Sequence, residues 1–264
     1  MVKGDDRILA DVDGFVGRFT INNAGKRNCM SLAMWQRMGE VFEAWADDPA
    51  VRVIIVRGAG DACFCAGNDI SEFATLRSTP ESIADYTAVT DRAYRAFQAI
   101  PKPTIARIAG FCIGGGLEVA QLCDLQIAAE TATFGVTPAK LGLGYKLDDV
   151  RLLTASVSAK AAKEILFTGR RFPAADALRW GLVNRVVTEA DLDATVEAYA
   201  QEIAANAPLS VKAAKVIVCE AVKEAADRNS AACQALVDAC HESEDYREGQ
   251  RAFAEKRPPQ FKGR

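Results

Sequence analysis

The stretch that decides the fold of this chain is Gly110-Phe-Cys-Ile-Gly-Gly-Gly-Leu-Glu-Val-Ala-Gln-Leu-Cys-Asp124. Its three consecutive glycines, residues 114–116, separate an apolar helix from Pro103–Ala109, which has the pattern of a short buried strand. Glycine adopts backbone angles that side chains forbid, so a ligand can lie directly on this main chain. The first N–H groups of a helix are unpaired and stand at the positive end of its dipole. The stretch therefore predicts a strand–turn–helix unit that can bind an anionic oxygen.

Glu118 is the one charged side chain of the helix that follows the glycines, since its neighbours from Leu117 to Cys123 are apolar apart from Gln121. An ionised carboxylate in apolar surroundings is costly, so it usually either has a raised pKa or serves a function. Glu118 is thus a candidate catalytic residue. The alternative is a tight turn in which the glycines only permit close packing.

A second glycine-containing loop, Asp61–Ile70, follows the apolar run Val51–Val56, which predicts a central strand. Ala66 and Gly67 are small, so a ligand could approach the backbone closely there. Two such loops could each direct one N–H group at the same oxygen. An ordinary strand-to-helix turn capped by Asp69 is the alternative.

Six motifs occur in one order along the chain. They are Phe64-Cys-Ala-Gly-Asn-Asp-Ile70, Gly114-Gly-Gly-Leu-Glu118, Phe134-Gly-Val-Thr-Pro-Ala-Lys-Leu-Gly142, Ala177-Leu-Arg-Trp-Gly-Leu-Val-Asn184, Ser243-Glu-Asp-Tyr-Arg-Glu-Gly249 and Phe253-Ala-Glu-Lys-Arg257. Each motif is weak by itself, but their order and spacing resemble the crotonase (enoyl-CoA hydratase/isomerase) superfamily over residues 22–261.

The resemblance implies an α/β fold: a spiral of β-β-α turns with a C-terminal α-helical trimerisation region. We expect the spiral core, with the CoA-thioester site, in residues 1–200 and the helical region in residues 201–264. A homotrimer or a dimer of trimers is implied, and the substrate is an acyl-CoA. No separate cofactor is expected, because CoA is part of the substrate.

The same resemblance implies the site residues. The oxyanion hole would be the N–H groups of Asn68 and Gly115. The residues implied to bind CoA are Lys26, Arg27, Ala66, Asp69 and Ile70, together with Phe253 and Lys256, which would reach the adenosine and 3′-phosphate of CoA on a neighbouring subunit.

One position departs from the hydratases of this family, which use two glutamates. Glu118 matches the first, but Pro138 stands in the place of the second. Hydration activates water and delivers a proton to carbon, work that two carboxylates share. The position at which isomerases and a dehalogenase of the family carry their acid is Lys146. Asp148 is predicted to cap a helix over Val150–Thr154.

The third motif resembles the methylmalonyl-CoA decarboxylase branch, whose Thr-Pro-x-x-Leu-Gly-x-x-Tyr pattern matches Thr137–Tyr145. The more specific expectation is therefore decarboxylation of a malonyl-type CoA, with the phenol of Tyr145 holding the leaving carboxylate. That branch has histidine where this chain has Asn68, and an amide donates a hydrogen bond but carries no proton at neutral pH.

Two alternatives stay open beside decarboxylation. One is an enoyl-CoA hydratase or isomerase that uses Glu118 alone, with Tyr145 as a further aid. The other is a non-catalytic CoA-binding or RNA-binding relative. The net charge of −3 argues against RNA.

Composition limits the remaining classes. The 264 residues suffice for one large domain with a helical extension, and no apolar run is long enough to span a bilayer. Residues 1–6 resemble neither a secretory signal nor a transit peptide. We expect a soluble cytoplasmic protein without nucleic-acid or membrane partners.

The cysteines and the single histidine do not favour a metal site or a nucleophile. Cys63 and Cys65 form only a C-x-C pattern, and His241 is far from them in the sequence. We expect the other six cysteines to be small buried hydrophobic residues in a reducing compartment, and we expect neither a zinc site nor a Cys-His pair.

Further elements follow from hydrophobic periodicity and caps. The predicted strands are Val16–Asn22, Leu125–Ala129 and Val183–Val187. The predicted helices are Ser31–Asp47 with Ser31 as its cap, Pro80–Ile100, a run from Thr188 to Asn206, and a helix that Pro208 opens.

Overall fold

The computed structural model describes residues 5–264 and contains ten strands in two sheets. The strands are β1 (Ile8–Asp13), β2 (Val16–Ile21), β3 (Val53–Gly58), β4 (Cys63–Cys65), β5 (Thr104–Ile108), β6 (Phe111–Ile113), β7 (Leu125–Ala129), β8 (Thr133–Gly135), β9 (Arg171–Pro173) and β10 (Arg185–Val187). Residues 1–4, on which part of the expectation about targeting rests, lie outside the described residues.

The helices lie between and after these strands. They are α1 (Leu32–Ala46), α2 (Phe73–Leu76), α3 (Pro80–Ala99), α4 (Gly115–Leu122), α5 (Leu147–Ser156), α6 (Ala159–Thr168), α7 (Ala174–Trp180), α8 (Leu192–Ala205), α9 (Pro208–Ala221), α10 (Ser230–Glu242) and α11 (Glu244–Glu255). Within residues 5–264, no helix has both the length and the apolar character needed to cross a membrane.

The chain alternates between the two sheets. The larger sheet has the order β1-β2-β3-β5-β7-β10, with an antiparallel β1–β2 pair and parallel pairs elsewhere. The smaller sheet has the order β4-β6-β8-β9, with parallel pairs except between β8 and β9. After β3, β5 and β7 the next strand along the chain lies in the smaller sheet, so successive turns form a spiral. The expected α/β spiral with C-terminal helices is confirmed.

The larger sheet is covered on both faces, which is why β3 is apolar at consecutive positions. Ile54 and Val56 pack in the cluster that contains α1 and α3, while Val53 and Ile55 pack against α8. Strands buried on both faces of a parallel sheet have near-continuous hydrophobic sequences. The core therefore lies on both sides of this sheet, and its loops carry the polar site.

The smaller sheet fixes where α4 begins. A Cβ atom on Gly116 would lie 2.0 Å from the carbonyl oxygen of Cys65, so only glycine fits at this contact. The first turn of α4 is thus packed directly on the end of β4. This close approach brings the two glycine-containing loops together.

The C-terminal tail folds back on the start of α11. The carboxylate of Asp245 accepts hydrogen bonds from the N–H groups of Lys262 and Gly263, at 2.6 and 2.7 Å. Glu248 accepts from Arg257 at 2.6 Å and from the Gln260 N–H at 3.0 Å. Two buried carboxylates on one helix therefore hold the last residues in place.

Several predicted boundaries change in the structure. The helix predicted over Val150–Thr154 is α5, which begins at Leu147. Asp148 as its cap was wrong, because the carboxylate that accepts from the Lys146 N–H belongs to Asp149, at 3.3 Å. Ser31 caps α1 as predicted, accepting from the Met34 N–H at 3.3 Å.

The region around residue 188 also differs. The predicted strand begins two residues later, at Arg185, and α8 begins at Leu192. Thr188 and Asp191 bond to each other in a turn, with the Asp191 N–H donating to Oγ1 of Thr188 at 3.2 Å. Pro208 opens α9 as predicted. The division of the chain between residues 200 and 201 stays a prediction, and it falls within α8.

The cysteines follow the expectation in part. Five are buried, namely Cys29, Cys63, Cys65, Cys112 and Cys123; Cys233 and Cys240 are partly exposed and Cys219 is exposed. The buried thiols lie in the spiral core and the other three in the C-terminal helices.

Candidate active site

Two backbone N–H groups meet where β4 and β6 end. A Cβ atom built on Gly115 would lie 3.4 Å from the Cα of Gly67 and 3.7 Å from the nitrogen of Asn68. Between residues 5 and 264, neither the Asn68 N–H nor the Gly115 N–H has a hydrogen-bond acceptor. Both donors therefore remain available to a ligand.

The loop that carries the Asn68 N–H is held by backbone hydrogen bonds before and after Asn68. Gly67 has a φ of +94°, a left-handed conformation that favours glycine. Its carbonyl accepts from the Met30 N–H at 2.8 Å, and the Asp69 N–H donates to the Met30 carbonyl at 2.8 Å. Asn68 lies between these two bonds with its own N–H unused, so the geometry of the donor is set by its neighbours.

Glu118 lies beside the two donors. Its Oε2 atom is 3.7 Å from the Cβ position of Gly115 and accepts a 2.8 Å hydrogen bond from the hydroxyl of Tyr94. Burial raises the pKa of Glu118 above its ordinary value; the Tyr145 hydroxyl opposes this, Asp149 adds to it, and Tyr94 opposes it. The raised pKa makes the protonated form of Glu118 more accessible than that of an ordinary glutamate, which suits a group that accepts and returns a proton.

Two tyrosines face this carboxylate from different elements. Tyr94 comes from α3, and Tyr145 precedes α5. Burial and the charge of Glu118 raise the pKa of both phenols far above the usual range. Both hydroxyls therefore stay protonated at neutral pH and act as donors.

The side chain of Asn68 is held from the opposite side. Its Oδ1 atom accepts a 2.8 Å hydrogen bond from Nε1 of Trp35, on α1. The indole of Trp35 stacks on the ring of Tyr94, with 5.1 Å between ring centroids. Sequence reasoning missed Trp35 and Tyr94, because both lie at apolar positions of helices and nothing in the sequence pairs one with the other.

Five of the residues expected to bind CoA lie close together, in or next to the loop that contains Gly67. The ammonium of Lys26 is 2.7 Å from the carboxylate of Asp69, and the Ala66 N–H donates to the Arg27 carbonyl at 3.1 Å. Lys26 and Arg27 are exposed, and Ile70 keeps 68 % of its surface exposed. Their arrangement is an open, partly apolar surface that carries two basic side chains and adjoins the loop of Gly67 and Asn68, and CoA binding by these residues stays a prediction.

Phe253 and Lys256 are not part of that surface within one chain. Phe253 lies at the end of α11 with Tyr246 and Phe261, and 88 % of its surface is exposed. Lys256 follows it with a φ of +55°. Their contact with a neighbour's CoA stays a prediction.

The position of the second hydratase glutamate holds no acid. Pro138 begins a short 3-10 turn that ends at Leu141. Lys146, at the isomerase position, is exposed and lies 3.8 Å from Asp91. Of these three positions, only Glu118 supplies a carboxylate, and its Oε2 atom is 3.7 Å from the Cβ position of Gly115.

No metal is indicated by the described part of the chain. Across residues 5–264, no cluster of three or more histidine, cysteine, aspartate or glutamate side chains could hold an ion. His241 packs near Tyr246, with 5.6 Å between ring centroids, on the C-terminal helices. What the described residues bring together is the carboxylate of Glu118 and the two N–H groups of Asn68 and Gly115.

Comparisons with known proteins cover nearly the whole chain. The model of the family described as enoyl-CoA hydratase/isomerase matches residues 12–264. A carnitinyl-CoA dehydratase of Proteus mirabilis is 37 % identical over 243 residues, which are 90 % of this chain and 92 % of that protein. A short-chain-enoyl-CoA hydratase of Clostridium acetobutylicum is 31 % identical over 252 residues, or 96 % of each chain. The crystal structure of an enoyl-CoA hydratase/carnithine racemase from Magnetospirillum magneticum has a TM-score of 0.91 at 35 % identity, covering 98 % of this chain and 97 % of that one.

Proposed function

Because this chain belongs to the enoyl-CoA hydratase/isomerase family and is an enzyme that acts on CoA thioesters, we propose that it adds water to 2-enoyl-CoA and catalyses the reverse dehydration. The observation that carries the proposal is that Glu118 stands beside two N–H groups that have no acceptor among residues 5–264. Relatives named as a hydratase and a dehydratase support the same reaction.

The oxyanion hole would act on the thioester carbonyl. The N–H groups of Asn68 and Gly115 donate to its oxygen, which gains negative charge as the double bond is attacked. Such preorganised donors stabilise the charge that develops in the transition state more than that of the ground state. This withdraws electrons from the β carbon and makes it open to a water molecule.

Glu118 would move the proton. Its carboxylate takes a proton from water while the water oxygen bonds to the β carbon, and the electrons of the double bond pass to the thioester as an enolate. The protonated Glu118 then returns that proton to the α carbon, which yields the 3-hydroxyacyl-CoA. The sum is one water added, and one carboxylate suffices because the same group takes and gives the proton.

Tyr94 and Tyr145 would support Glu118 without replacing the second glutamate. Their pKa values lie far above the usual range, so neither phenol gives up its proton at neutral pH. As donors they stabilise the ionised form of Glu118, which is the form that activates water.

Decarboxylation, the more specific expectation from the third motif, has less support. Burial and the negative charge of Glu118 raise the pKa of Tyr145, so its hydroxyl lies within the electrostatic influence of that carboxylate. A substrate carboxylate bound at Tyr145 would stand beside a second negative charge, and like charges at short distance repel each other. The names of the relatives also favour the hydratase alternative.

We also carry over the expected assembly as a proposal. Val218, Val222 and Phe253 are large apolar residues of α9 and α11 or next to them, with 64 %, 82 % and 88 % of their surface exposed. Residues 201–264 would bury this surface in a trimer or a dimer of trimers, and Lys256 would then reach the CoA of a neighbour.

The experiment that tests the reaction incubates the enzyme with crotonyl-CoA and with methylmalonyl-CoA and resolves the products by mass. We expect a water adduct from crotonyl-CoA, and its formation should be lost in Glu118→Gln. Glu43→Gln is the matched control, because Glu43 is an exposed residue of α1 that forms an ion pair with Arg92 of α3. Carbon dioxide from methylmalonyl-CoA without hydration of crotonyl-CoA would overturn the proposal, and a shift of the double bond in a 3-enoyl-CoA without hydration would replace it by isomerisation.

A further inference from the structure

We propose that Trp35 and Tyr94 are positioning residues, which fix the carboxylate of Glu118 relative to the oxyanion N–H of Asn68. The proposal rests on the proposed function, since it assigns a role at the same site. It concerns residues that lie on α1 and α3, outside the two glycine-containing loops and outside the motifs of the sequence.

The contacts form a closed circuit around the site. Asn68 Oδ1 accepts from Trp35 Nε1 at 2.8 Å, and the Trp35 indole stacks on Tyr94 at 5.1 Å with 23° between the ring planes. The Tyr94 hydroxyl donates to Glu118 Oε2 at 2.8 Å. Glu118 Oε2 and the Asn68 nitrogen are each 3.7 Å from the Cβ position of Gly115, which completes the circuit.

The polar ends of the two aromatic residues distinguish this arrangement from ordinary packing. Trp35 is 1 % exposed, so its indole N–H needs a partner, and that partner is the side chain whose backbone forms the oxyanion hole. Tyr86 on the same helix as Tyr94 is also buried, yet its hydroxyl has no hydrogen-bond partner among residues 5–264. The fold therefore accommodates an unpaired phenol on α3, whereas it pairs the Tyr94 hydroxyl with the reacting carboxylate.

The consequence is that helix packing sets the distance between donor and acid. Because α1 and α3 pack against each other, the stacked pair acts as a rigid spacer between the Asn68 side chain and Glu118. Loss of the Tyr94 hydroxyl would leave Oε2 without this donor and free the carboxylate to rotate. Misplacement of a catalytic group by a fraction of an ångström to one ångström lowers the rate strongly.

The pH dependence of the rate gives a second measure of the contact between Tyr94 and Glu118. The groups that face it are Tyr94 from α3, and Tyr145, Lys146 and Asp149 from the start of α5. Among these, Tyr94 donates to the ionised carboxylate and lowers its pKa. Removing that hydroxyl raises the pKa of Glu118, so the acid limb of the pH–rate profile moves to higher pH.

The test compares Tyr94→Phe and Trp35→Phe with the matched controls Tyr86→Phe and Trp45→Phe. Each substitution keeps an aromatic ring, and Trp45 is a buried tryptophan on α1 outside the circuit. We expect kcat for crotonyl-CoA hydration to fall about tenfold or more in Tyr94→Phe, as for a lost hydrogen bond to a charged group, and by a smaller factor in Trp35→Phe, which loses a hydrogen bond to a neutral amide; KM should be nearly unchanged in both. The acid limb of Tyr94→Phe should move to higher pH, and the controls should keep the wild-type profile.

A partial reaction separates failure of this inference from failure of the proposed function. Exchange of the α protons of butyryl-CoA in heavy water, followed by NMR, needs Glu118 and the oxyanion hole but no hydration. If the wild type exchanges but does not hydrate, the proposed function fails while slower exchange in Tyr94→Phe still supports the circuit. Wild-type kcat, exchange rate and pH profile in Tyr94→Phe would overturn the inference, and that variant decides alone if Trp35→Phe does not fold.

Discussion

Replacing Gly115 with proline isolates the proposed oxyanion donor. Gly115 is the first residue of α4, where proline is favoured because the N–H at this position has no acceptor within the helix. Since that N–H has no acceptor within residues 5–264, the substitution removes a donor to the ligand but no hydrogen bond of the fold. The added Cβ meets its nearest neighbours at 3.4 to 3.7 Å, which are ordinary contacts.

The size of the effect follows from the number of donors. One of two N–H groups is lost, and a single oxyanion donor is worth ~3–4 kcal/mol in the transition state, or about 10²–10³-fold in kcat. The proline ring also enters the space of the ligand oxygen, so we expect a loss at the upper end of this range. Stability should change little.

The assay is the loss of enoyl absorbance on hydration of crotonyl-CoA, with circular dichroism as the check on folding. Ala159→Pro is the matched control, because Ala159 is the exposed first residue of α6 and follows Ser158 in an extended conformation that tolerates a proline after it. The control should keep the wild-type kcat. A folded Gly115→Pro enzyme with wild-type kcat would refute the assignment of the oxyanion hole.

The remaining predictions concern the acid, its second phenol, the assembly and the C-terminal tail. Glu118→Gln should lower kcat by about 10²–10⁴-fold, and the acid limb of the wild-type profile should lie above the ordinary glutamate range because the pKa of Glu118 is raised; a limb at ordinary values contradicts this. Tyr145→Phe should move the acid limb to still higher pH, because the Tyr145 hydroxyl lowers the pKa of Glu118. It should lower kcat less than Glu118→Gln does, and an unchanged pH profile would argue against an interaction between Tyr145 and Glu118 in solution. Light scattering should give the mass of a trimer or hexamer, with Val222→Asp reducing it; a monomer at micromolar concentration disproves the assembly. Arg257 holds the pKa of Glu248 well below its usual range, so this pair stabilises the fold above the ordinary glutamate pKa and the stabilisation is lost as pH falls through the lowered pKa. Glu248→Gln should thus lower Tm at pH 7 and progressively less in acid, and an equal loss at every pH would contradict the linkage.

The parts of the fold that the sequence predicts are those fixed by local patterns. The apolar β-branched residues of β3 and the Ser31 cap of α1 appear as expected. The turn at Thr188–Asp191 was missed, because a threonine and an aspartate that bond to each other look like the start of a helix. The helix α5 begins earlier than predicted for a similar reason, since the acceptor at its start is Asp149 and not Asp148.

The candidate site also has residues that the sequence indicates and contacts that it does not. Asn68, Gly115 and Glu118 lie in short motifs, so local sequence is enough to indicate them. The contacts of Trp35 and Tyr94 could not be predicted, since they join α1 to α3 and exist only after the helices pack. Likewise, nothing in the sequence indicates that the Tyr145 hydroxyl lies near enough to Glu118 to lower its pKa, and the role expected of Tyr145 toward a substrate carboxylate stays a prediction.

The five buried cysteines can report on unfolding of the core, because a thiol reagent reaches them only when the core opens. Cys219 is exposed on α9 and should react quickly with a thiol reagent, whereas Cys63 and Cys65 are inside the spiral and burial raises their pKa values to about 11 and about 12. Only the thiolate reacts, so the buried thiols are modified at the rate at which the core unfolds. Counting modified thiols over time by mass therefore measures the kinetic stability of the core separately from the C-terminal helices, with no engineered label.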